Sequence, residues 1–331
     1  MHWKIMSFFK LRRFLDSIFF LVTIVSVSSY AQNYPNKIIK LIVPYAAGGS
    51  TDITARLIAK SLSTKLGQPV VVDNRAGAGG TIGQEVVAKS APDGYTILFS
   101  AAGPLVVSPH TYPKLGYDPV KGFDPVILIA TQPLLLVVNP DTKIYSVADL
   151  IKEAKEKQGK LNYGSFGNGS AAHLAAESFK MATKIEMTHV PYKGSSPALT
   201  GLVGGDIDLM FDVFSTAAPF VKADKLRALA ITSKDRSPQF PDVPPMEQVG
   251  LSNFEAGTWF GVLLPAGTPR PIVDQLNKIL NAVLTEKELR ETLLSQGAII
   301  RGGTPEQFND FFVSEYQKSG NLVKLVGITS N

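Results

Sequence analysis

Short apolar runs alternate along the chain with stretches in which apolar residues recur every three or four positions. This alternation is typical of successive βαβ units. In the first unit, the apolar run Ile38–Val43 predicts a strand, and the next segment predicts a helix from about Asp52 to Leu66 that ends at Gly67. Further strands are predicted at Val70–Asp73, Tyr95–Ser100, Val126–Ala130, Leu134–Asn139, Leu161–Ser165, Met187–Tyr192, Asp206–Phe211, Leu226–Thr232 and Thr258–Pro265. Further helices are predicted at Thr81–Ser90, Val147–Lys157, Ser170–Ala182, Pro271–Leu284, Lys287–Gln296 and Pro305–Leu325.

The order of these elements predicts an α/β fold of two domains, each a mainly parallel sheet flanked by helices. Residues 32–135 form the first predicted domain, residues 136–255 form the second, and residues 256–331 return to the first. The chain then crosses between the domains twice, which makes a hinge. The proline-rich stretch Pro104–Pro125 is expected to be irregular. Another helix is expected after Met187–Tyr192, with Ser195 or Ser196 as its cap and Pro197 at its first position.

The first 31 residues have the pattern of a secretory signal peptide. Lys10, Arg12 and Arg13 precede the apolar segment Ser17–Val27, and small residues at Ser29 and Ala31 suit cleavage before Gln32. An uncleaved membrane helix is the alternative, although the segment is short for a span. With no cysteine in the chain, a lipid-modified cysteine, a disulfide framework and a thiolate metal site are excluded. The mature protein is therefore expected to be free in the periplasm, and not a lipoprotein.

The net charge of +5 changes when the predicted signal peptide is removed. The mature chain keeps 29 basic and 27 acidic residues, and its net charge is +2. No later basic run or basic patch with interleaved aromatic residues occurs. A nucleic-acid partner is therefore not expected.

Two glycine-rich segments, "AAGGST" and "SFGNGS" (Ser165–Ser170), each lie between a predicted strand and a predicted helix. Ligands of open α/β sheets bind at this edge. A helix N-terminus adds unpaired N–H groups and a partial positive charge, which suit a carboxylate or a phosphate. For "AAGGST" alone, a tight turn with Ser50 or Thr51 as helix cap is the alternative. Two such loops, one in each domain, favour an anion-binding clamp.

Three polar residues near these loops have open roles. Asp52 either caps the helix or interacts with its dipole in the first turn, or it orders water or meets a donor group of the ligand. Arg56, one turn later, is either its ion partner or solvated. His173 is either a structural histidine bonded to the backbone or a ligand contact. Asp212 follows an apolar run at a strand end, where it is either a site residue or an acid that caps a loop.

Signatures of catalysis are missing. The glycines Gly77, Gly79 and Gly83 have the spacing G-x-G-x-x-x-G, which departs from the dinucleotide fingerprint, and no acid closes the next strand. No nucleophile elbow, P-loop or zinc-protease motif is present, and the histidines lack metal-ligand spacing. No cofactor and no metal site are therefore expected.

Several blocks of the chain resemble the Bug family, the periplasmic solute receptors of tripartite tricarboxylate transporters. They include "VPYAAGGSTDITAR", "VVVDNRAGAGGTIGQEVVAKSAPDGYTILF", "LNYGSFGNGSAAHLAAESF" and "HVPYKGSSPALTGLVGGDIDLMFD". The resemblance extends over residues 34–326. It implies a type II periplasmic binding fold that closes on a small organic acid, held between the first loop and a domain-two loop of pattern S-x-G-x-G-x-x-x-H. Here that pattern falls on Ser165, Gly167, Gly169 and His173.

The resulting hypothesis is an exported, monomeric receptor that captures a small carboxylate and delivers it to integral membrane transporter subunits. An exported α/β enzyme that uses His173 and Asp212 is the alternative, and a receptor that serves a sensor kinase is a third possibility. The predicted ligand-binding residues are Ala47, Gly48, Gly49, Ser50, Thr51, Asp52, Ala101, Ser165, Gly167, Asn168, Gly169, Ser170, His173 and Asp212.

Overall fold

The computed structural model describes residues 34–157, 159–252, 254 and 256–328. The predicted signal peptide and its cleavage site before Gln32 lie outside the described residues. The chain from Ile38 onward forms one compact unit, which contains the strands and helices of the described residues.

Most predicted elements are confirmed, with ends shifted by at most three residues. The strands are β1 (Ile39–Val43), β2 (Val70–Asn74), β3 (Thr96–Ala101), β4 (Phe123–Val138), β5 (Asn162–Ser165), β6 (Thr188–Pro191), β7 (Leu209–Val213), β8 (Arg227–Ile231), β9 (Gly257–Pro265) and β10 (Ile299–Ile300). The α-helices are α1 (Ser50–Leu66), α2 (Thr81–Ala88), α3 (Ser108–Thr111), α4 (Val147–Lys157), α5 (Ala171–Thr183), α6 (Ser195–Gly204), α7 (Phe214–Lys222), α8 (Arg270–Val283), α9 (Lys287–Ser295) and α10 (Pro305–Val326).

Strand β4 is one continuous strand of 16 residues, where the apolar pattern predicts two separate strands. Its first part pairs with β9, from Phe123 opposite Pro265 to Pro133 opposite Gly257. Its second part pairs with β7 and β8. The prediction of two strands was wrong because the polar residues between the apolar runs stay extended and keep their pairing with β9.

The strands follow the order β2-β1-β3-β9-β4-β7-β5-β6, with β8 and β10 also on β4. Strand β1 is parallel to β2 and β3, and β5 is parallel to β6 and β7. Strands β9 and β4 run antiparallel to their neighbours. Each sheet is thus mixed rather than mainly parallel, because the chain passes from one sheet to the other along β4 and returns between β8 and β9.

Apart from short 3-10 turns at Ala78–Gly80 and Met246–Val249, two helical segments of the described residues were not predicted. Residues Gly103–Val107 form a wide helical turn that continues into α3, within the stretch that was expected to be irregular. Its apolar residues Leu105, Val106 and Val107 are all buried, so packing stabilises the helical form. Helix α7 follows β7 directly and contains Pro219, a residue that normally argues against a helix interior.

Helix α10 covers the first sheet and fixes the strand ends that reach the site. It begins with a capping box between Thr304 and Gln307. Trp259 of β9 packs edge-on against Phe308 and Phe312 of this helix, with ring centroids 5.8 Å and 6.4 Å away. None of the helices in the described ranges is long and apolar enough to cross a membrane.

Candidate ligand-binding site

A pocket lies where several helices begin. Its wall includes Gly49–Thr51 at the start of α1, Ala171 at the start of α5, Ser195 at the start of α6 and Val213, the N-cap of α7. Ends of the first sheet complete the wall. Its full lining is Tyr45, Gly49, Ser50, Thr51, Ala101, Gly103, Phe166, Ala171, Ser195, Val213 and Thr258.

The positive potential in this pocket comes from the partial charges of helix N-termini. Among the described residues that line it, none has a charged side chain, and burial raises the pKa of Tyr45 so that its phenol stays neutral. The N-cap residues Gly49, Gly194 and Val213 make no side-chain capping hydrogen bond. The starts of these three helices therefore have no side-chain cap, and their dipoles favour an anion in the pocket.

The starts of α1 and α6 face each other across the pocket. A Cβ built on Gly49 would lie 3.7 Å from the Ser195 backbone nitrogen. The Ala46 N–H also donates to the Lys193 carbonyl at 3.1 Å, which ties the first glycine loop to the loop before α6. The segment Lys193–Ser195 is therefore the surface that lies directly opposite the first glycine loop.

Asp52 holds the first glycine loop in shape. Its Oδ2 accepts hydrogen bonds from the Gly48 N–H and the Arg56 Nε, both at 2.9 Å, and its Oδ1 accepts from the Asn74 Nδ2 at 3.0 Å. Although burial opposes ionisation, the hydrogen bonds from Arg56, Gly48 and Asn74 lower the pKa of Asp52. The carboxylate is therefore used within the protein, and neither Asp52 nor the exposed Ala47 and Gly48 line the pocket.

Two hydroxyl groups of the second glycine loop, those of Ser165 and Ser170, form hydrogen bonds within the protein. Ser165 Oγ accepts from the Gly167 N–H at 3.1 Å and bonds His189 Nε2 at 2.6 Å. Ser170, the N-cap of α5, accepts from the His173 N–H at 3.3 Å. Phe166 and Ala171 of this segment line the pocket instead, and the proposed ligand roles of Ser165 and Ser170 stay predictions.

Gly167 and Asn168 line a second cleft, which shares Tyr45 and Phe166 with the pocket. The opposite wall of this cleft is the loop Gly77–Gly80. A Cβ built on Gly79 would lie 2.1 Å from the Asn168 carbonyl oxygen, so only glycine permits this close approach of the two loops.

His173 belongs to a buried aromatic stack beneath the second loop. Its ring stacks on His189 at 3.9 Å between centroids, and His189 stacks on Tyr163 at 4.9 Å. The Gly169 N–H donates to His173 Nδ1 at 3.2 Å. Burial lowers the pKa of His173 to about 4 and that of His189 to about 3, so both imidazoles are neutral and support the loop.

We expect the melting temperature to fall as the pH is lowered from about 6.5 to about 5. Both imidazoles take up protons in the unfolded chain near pH 6.5, whereas the folded protein keeps them neutral. Acid therefore stabilises the unfolded state. Asp212, with a pKa raised by burial to about 7, acts in the opposite sense, but it offsets only one of the two protons.

Calorimetric melting over this pH range measures the effect. His189→Gln removes one of the two imidazoles, so the number of protons taken up on unfolding should fall by about one. A melting temperature that stays constant or rises on acidification, or an unchanged proton number in the variant, would contradict the account.

Asp212 lies behind the pocket wall at the end of β7. Its side chain is completely buried, and its Oδ1 accepts a hydrogen bond from Ser195 Oγ at 2.7 Å. Its Oδ2 is buried with no hydrogen-bond partner within bonding distance. Burial raises the pKa of Asp212 to about 7, against the lowering effects of Ser195, Thr216 and the Val213 backbone.

Of the predicted site residues, Gly49, Ser50, Thr51 and Ala101 line the pocket. Sequence reasoning did not select Tyr45, Gly103, Phe166, Ala171, Ser195, Val213 and Thr258. Ser195 had a usable signal, because a glycine and two serines open a helix directly after a strand, as in the two loops that were selected. Within the described part of the chain, no cluster of His, Cys, Asp or Glu could hold a metal ion.

The model of the tripartite tricarboxylate transporter family receptor matches residues 54–328. The chain belongs to this receptor family. BugT of Bordetella pertussis is 41% identical over 90% of this chain and 91% of its own length. The resemblance to the Bug family is therefore confirmed, and the family is one of transporter receptors rather than enzymes.

Two solved structures of receptor-family relatives match nearly the whole fold. The periplasmic binding protein BugD has a TM-score of 0.87 at 35% identity, with 90% of this chain and 100% of that chain covered. An R. palustris protein solved with adipate has a TM-score of 0.87 at 38% identity, with 89% and 99% covered. These matches confirm the α/β class and the two-domain periplasmic binding fold.

Proposed function

We propose that this receptor binds a small carboxylate in the pocket between the starts of α1, α5, α6 and α7, and presents it to the membrane subunits of a tripartite transporter. One observation carries the proposal: helix N-termini converge on a pocket whose described lining has no charged side chain. Such a site binds an anion through backbone N–H groups and dipoles. The adipate bound to a relative supports a carboxylate as that anion.

The hydroxyl groups of Ser50 and Thr51 add donors from the first domain, and the α6 start adds donors from the second. We assign residues 32–135 with 256–331 to the first domain and residues 136–255 to the second. Contacts from both domains give the ligand a preference for the closed arrangement. A shift of the open and closed populations from 1:99 to 99:1 takes about 5.5 kcal/mol of such preference.

The family and its solved relatives are periplasmic. We further propose that residues 1–31 of this chain are a signal peptide that is cleaved before Gln32, and that the receptor acts as a monomer. An exported receptor meets its ligand in the periplasm, where the pocket at the helix N-termini can bind it.

A carboxylate is expected to bind at least about tenfold more tightly than its amide analogue, a difference of about 1.4 kcal/mol. The amide has the same shape but lacks the negative charge that the helix N-termini stabilise. Calorimetric titration with adipate and adipamide makes the comparison, after a thermal-shift screen of organic acids. Equal affinities for acid and amide would contradict an anion site, and turnover of a bound acid would favour the enzyme alternative.

Native mass spectrometry of the protein from its own periplasm identifies the natural ligand. Crosslinking in intact cells identifies the membrane partner. Capture of transporter subunits supports the proposed delivery, and capture of a sensor kinase would contradict it.

A further inference from the structure

Asp212 and Ser195 form a buried pair in which only one partner reaches the pocket. Ser195 is the first residue of α6 and lines the pocket, whereas Asp212 lies behind it in β7 and is completely buried. The two oxygens, Ser195 Oγ and Asp212 Oδ1, are 2.7 Å apart. The side of this hydrogen bond that carries the proton therefore decides whether Ser195 can donate a hydrogen bond to a ligand or only accept one.

The protonation state of Asp212 fixes the direction of this hydrogen bond. An ionised carboxylate has no proton to donate, so Ser195 must donate its hydroxyl hydrogen inward to Asp212. Its oxygen can then act toward the pocket only as an acceptor. A protonated Asp212 can instead donate to Ser195 Oγ, and this leaves the hydroxyl hydrogen of Ser195 free to point at a ligand.

Both states of Asp212 are accessible because its surroundings do not fix its charge. Oδ2 is buried with no partner within bonding distance, and the nearby Thr216 hydroxyl donates to the Val213 carbonyl at 3.0 Å. An unpaired buried carboxylate is costly, and protonation removes this cost. Burial accordingly raises the pKa of Asp212 to about 7, although Thr216 and the Val213 backbone lie near enough to lower it, as Ser195 does.

The charged groups on the surrounding elements are engaged elsewhere. On α5, Lys180 pairs with Glu177 at 3.0 Å, and Glu177 bonds Tyr163 of β5. His173 of α5 accepts from the Gly169 N–H, and Lys222 of α7 bonds the Gln239 side chain. Helix α6 and the β4 half that pairs with β7 contain no ionisable side chain. No charged residue is among the causes of the Asp212 shift.

We infer that a carboxylate ligand enters the pocket together with one proton, which Asp212 takes up so that Ser195 can donate to the anion. This inference rests on the proposed function, since it needs a carboxylate next to Ser195. A solute with a hydrogen-bond donor at this point, such as a hydroxyl or an ammonium group, instead binds the receptor while Asp212 is ionised. Ser195 Oγ then accepts the hydrogen bond from the solute. The pair Asp212–Ser195 thereby makes pH a determinant of which solutes the receptor selects.

The test is calorimetric titration of the periplasmic protein with adipate from about pH 7 to about pH 8.5, in buffers with different ionisation enthalpies. Adipate is fully ionised in this range, and His173 and His189, with pKa values of about 4 and about 3, stay neutral. We expect Kd to rise toward about tenfold per pH unit and the proton uptake to approach one per bound adipate at the alkaline end.

Two variants separate the pair from other causes. Asp212→Asn cannot titrate, so its adipate affinity should not change with pH and its binding should take up no proton. Asp73→Asn, which alters an exposed ion pair with Arg75, is the matched control and should keep the pH dependence of the unaltered protein.

Proton uptake in the unaltered protein is decisive even if Asp212→Asn fails to fold. Adipate binding with constant affinity and no proton uptake would overturn the inference and leave the proposed function standing. Absence of binding by every carboxylate at every pH would overturn the proposed function itself. A pH dependence that persists in a folded Asp212→Asn protein would assign the proton to another group and also overturn the inference.

Discussion

Gly49→Val is expected to weaken carboxylate binding by about 100-fold or more, which is about 2.8 kcal/mol, without disrupting the fold. Gly49 has φ −81° and ψ 168°, an extended conformation that valine adopts readily. A Cβ built there lies 3.5 Å from the Ala46 carbonyl oxygen and 3.7 Å from the Ser195 nitrogen, which are ordinary contact distances. The added methyl groups, however, extend beyond this Cβ into the pocket that Gly49 and Ser195 both line and where the anion is proposed to bind.

Calorimetric titration and thermal melting of the same preparation check this expectation. Gly204→Ala is the matched control, because a Cβ built on Gly204 meets nothing within 4 Å. A folded Gly49→Val protein that binds carboxylates with unchanged Kd would show that the ligand lies elsewhere.

Asp52→Ala is expected to lower the free energy of unfolding by about 2–4 kcal/mol. The substitution removes the acceptor for the Gly48 N–H and the Asn74 amide, and leaves Arg56 without its ion partner. Because the lowered pKa of Asp52 stabilises the fold only while the carboxylate is ionised, this contribution is present at neutral pH. It is lost as the pH falls through the acidic range where carboxylates protonate.

Urea denaturation at neutral pH measures the loss. Asp73→Ala is the comparison, because the ion pair of Asp73 with Arg75 is exposed and worth less than about 1 kcal/mol. Equal losses in the two variants would contradict a structural role for Asp52 in the first glycine loop.

Local patterns predicted many of the elements because the signals lie within a few residues of each other. Helix Val147–Lys157 was predicted to its ends, and Gly67 ends α1 in the left-handed conformation that favours glycine. The continuity of β4 could not be predicted in this way, because it depends on pairing with β9, more than a hundred residues away.

The site shows the same division between local and distant information. The first glycine loop was found because its glycines and hydroxyls are adjacent in the sequence. Ser195 was read only as a helix cap, yet Gly194 is the N-cap and Ser195 is the first helical residue facing Gly49. Gly169 was expected to approach the ligand, but a Cβ built on it would lie 2.7 Å from Ser108 Cα. Its φ of +70° and this close approach give it a packing role that only the folded chain shows.

The 16-residue strand β4 belongs to both sheets. Neither sheet can lose this strand to solvent without removing hydrogen-bond partners from the other. The two sheets therefore belong to one compact unit that is joined through a continuous strand. A twist of one sheet relative to the other would act on β4 around Thr131–Pro133, where its pairing passes from β9 to β7.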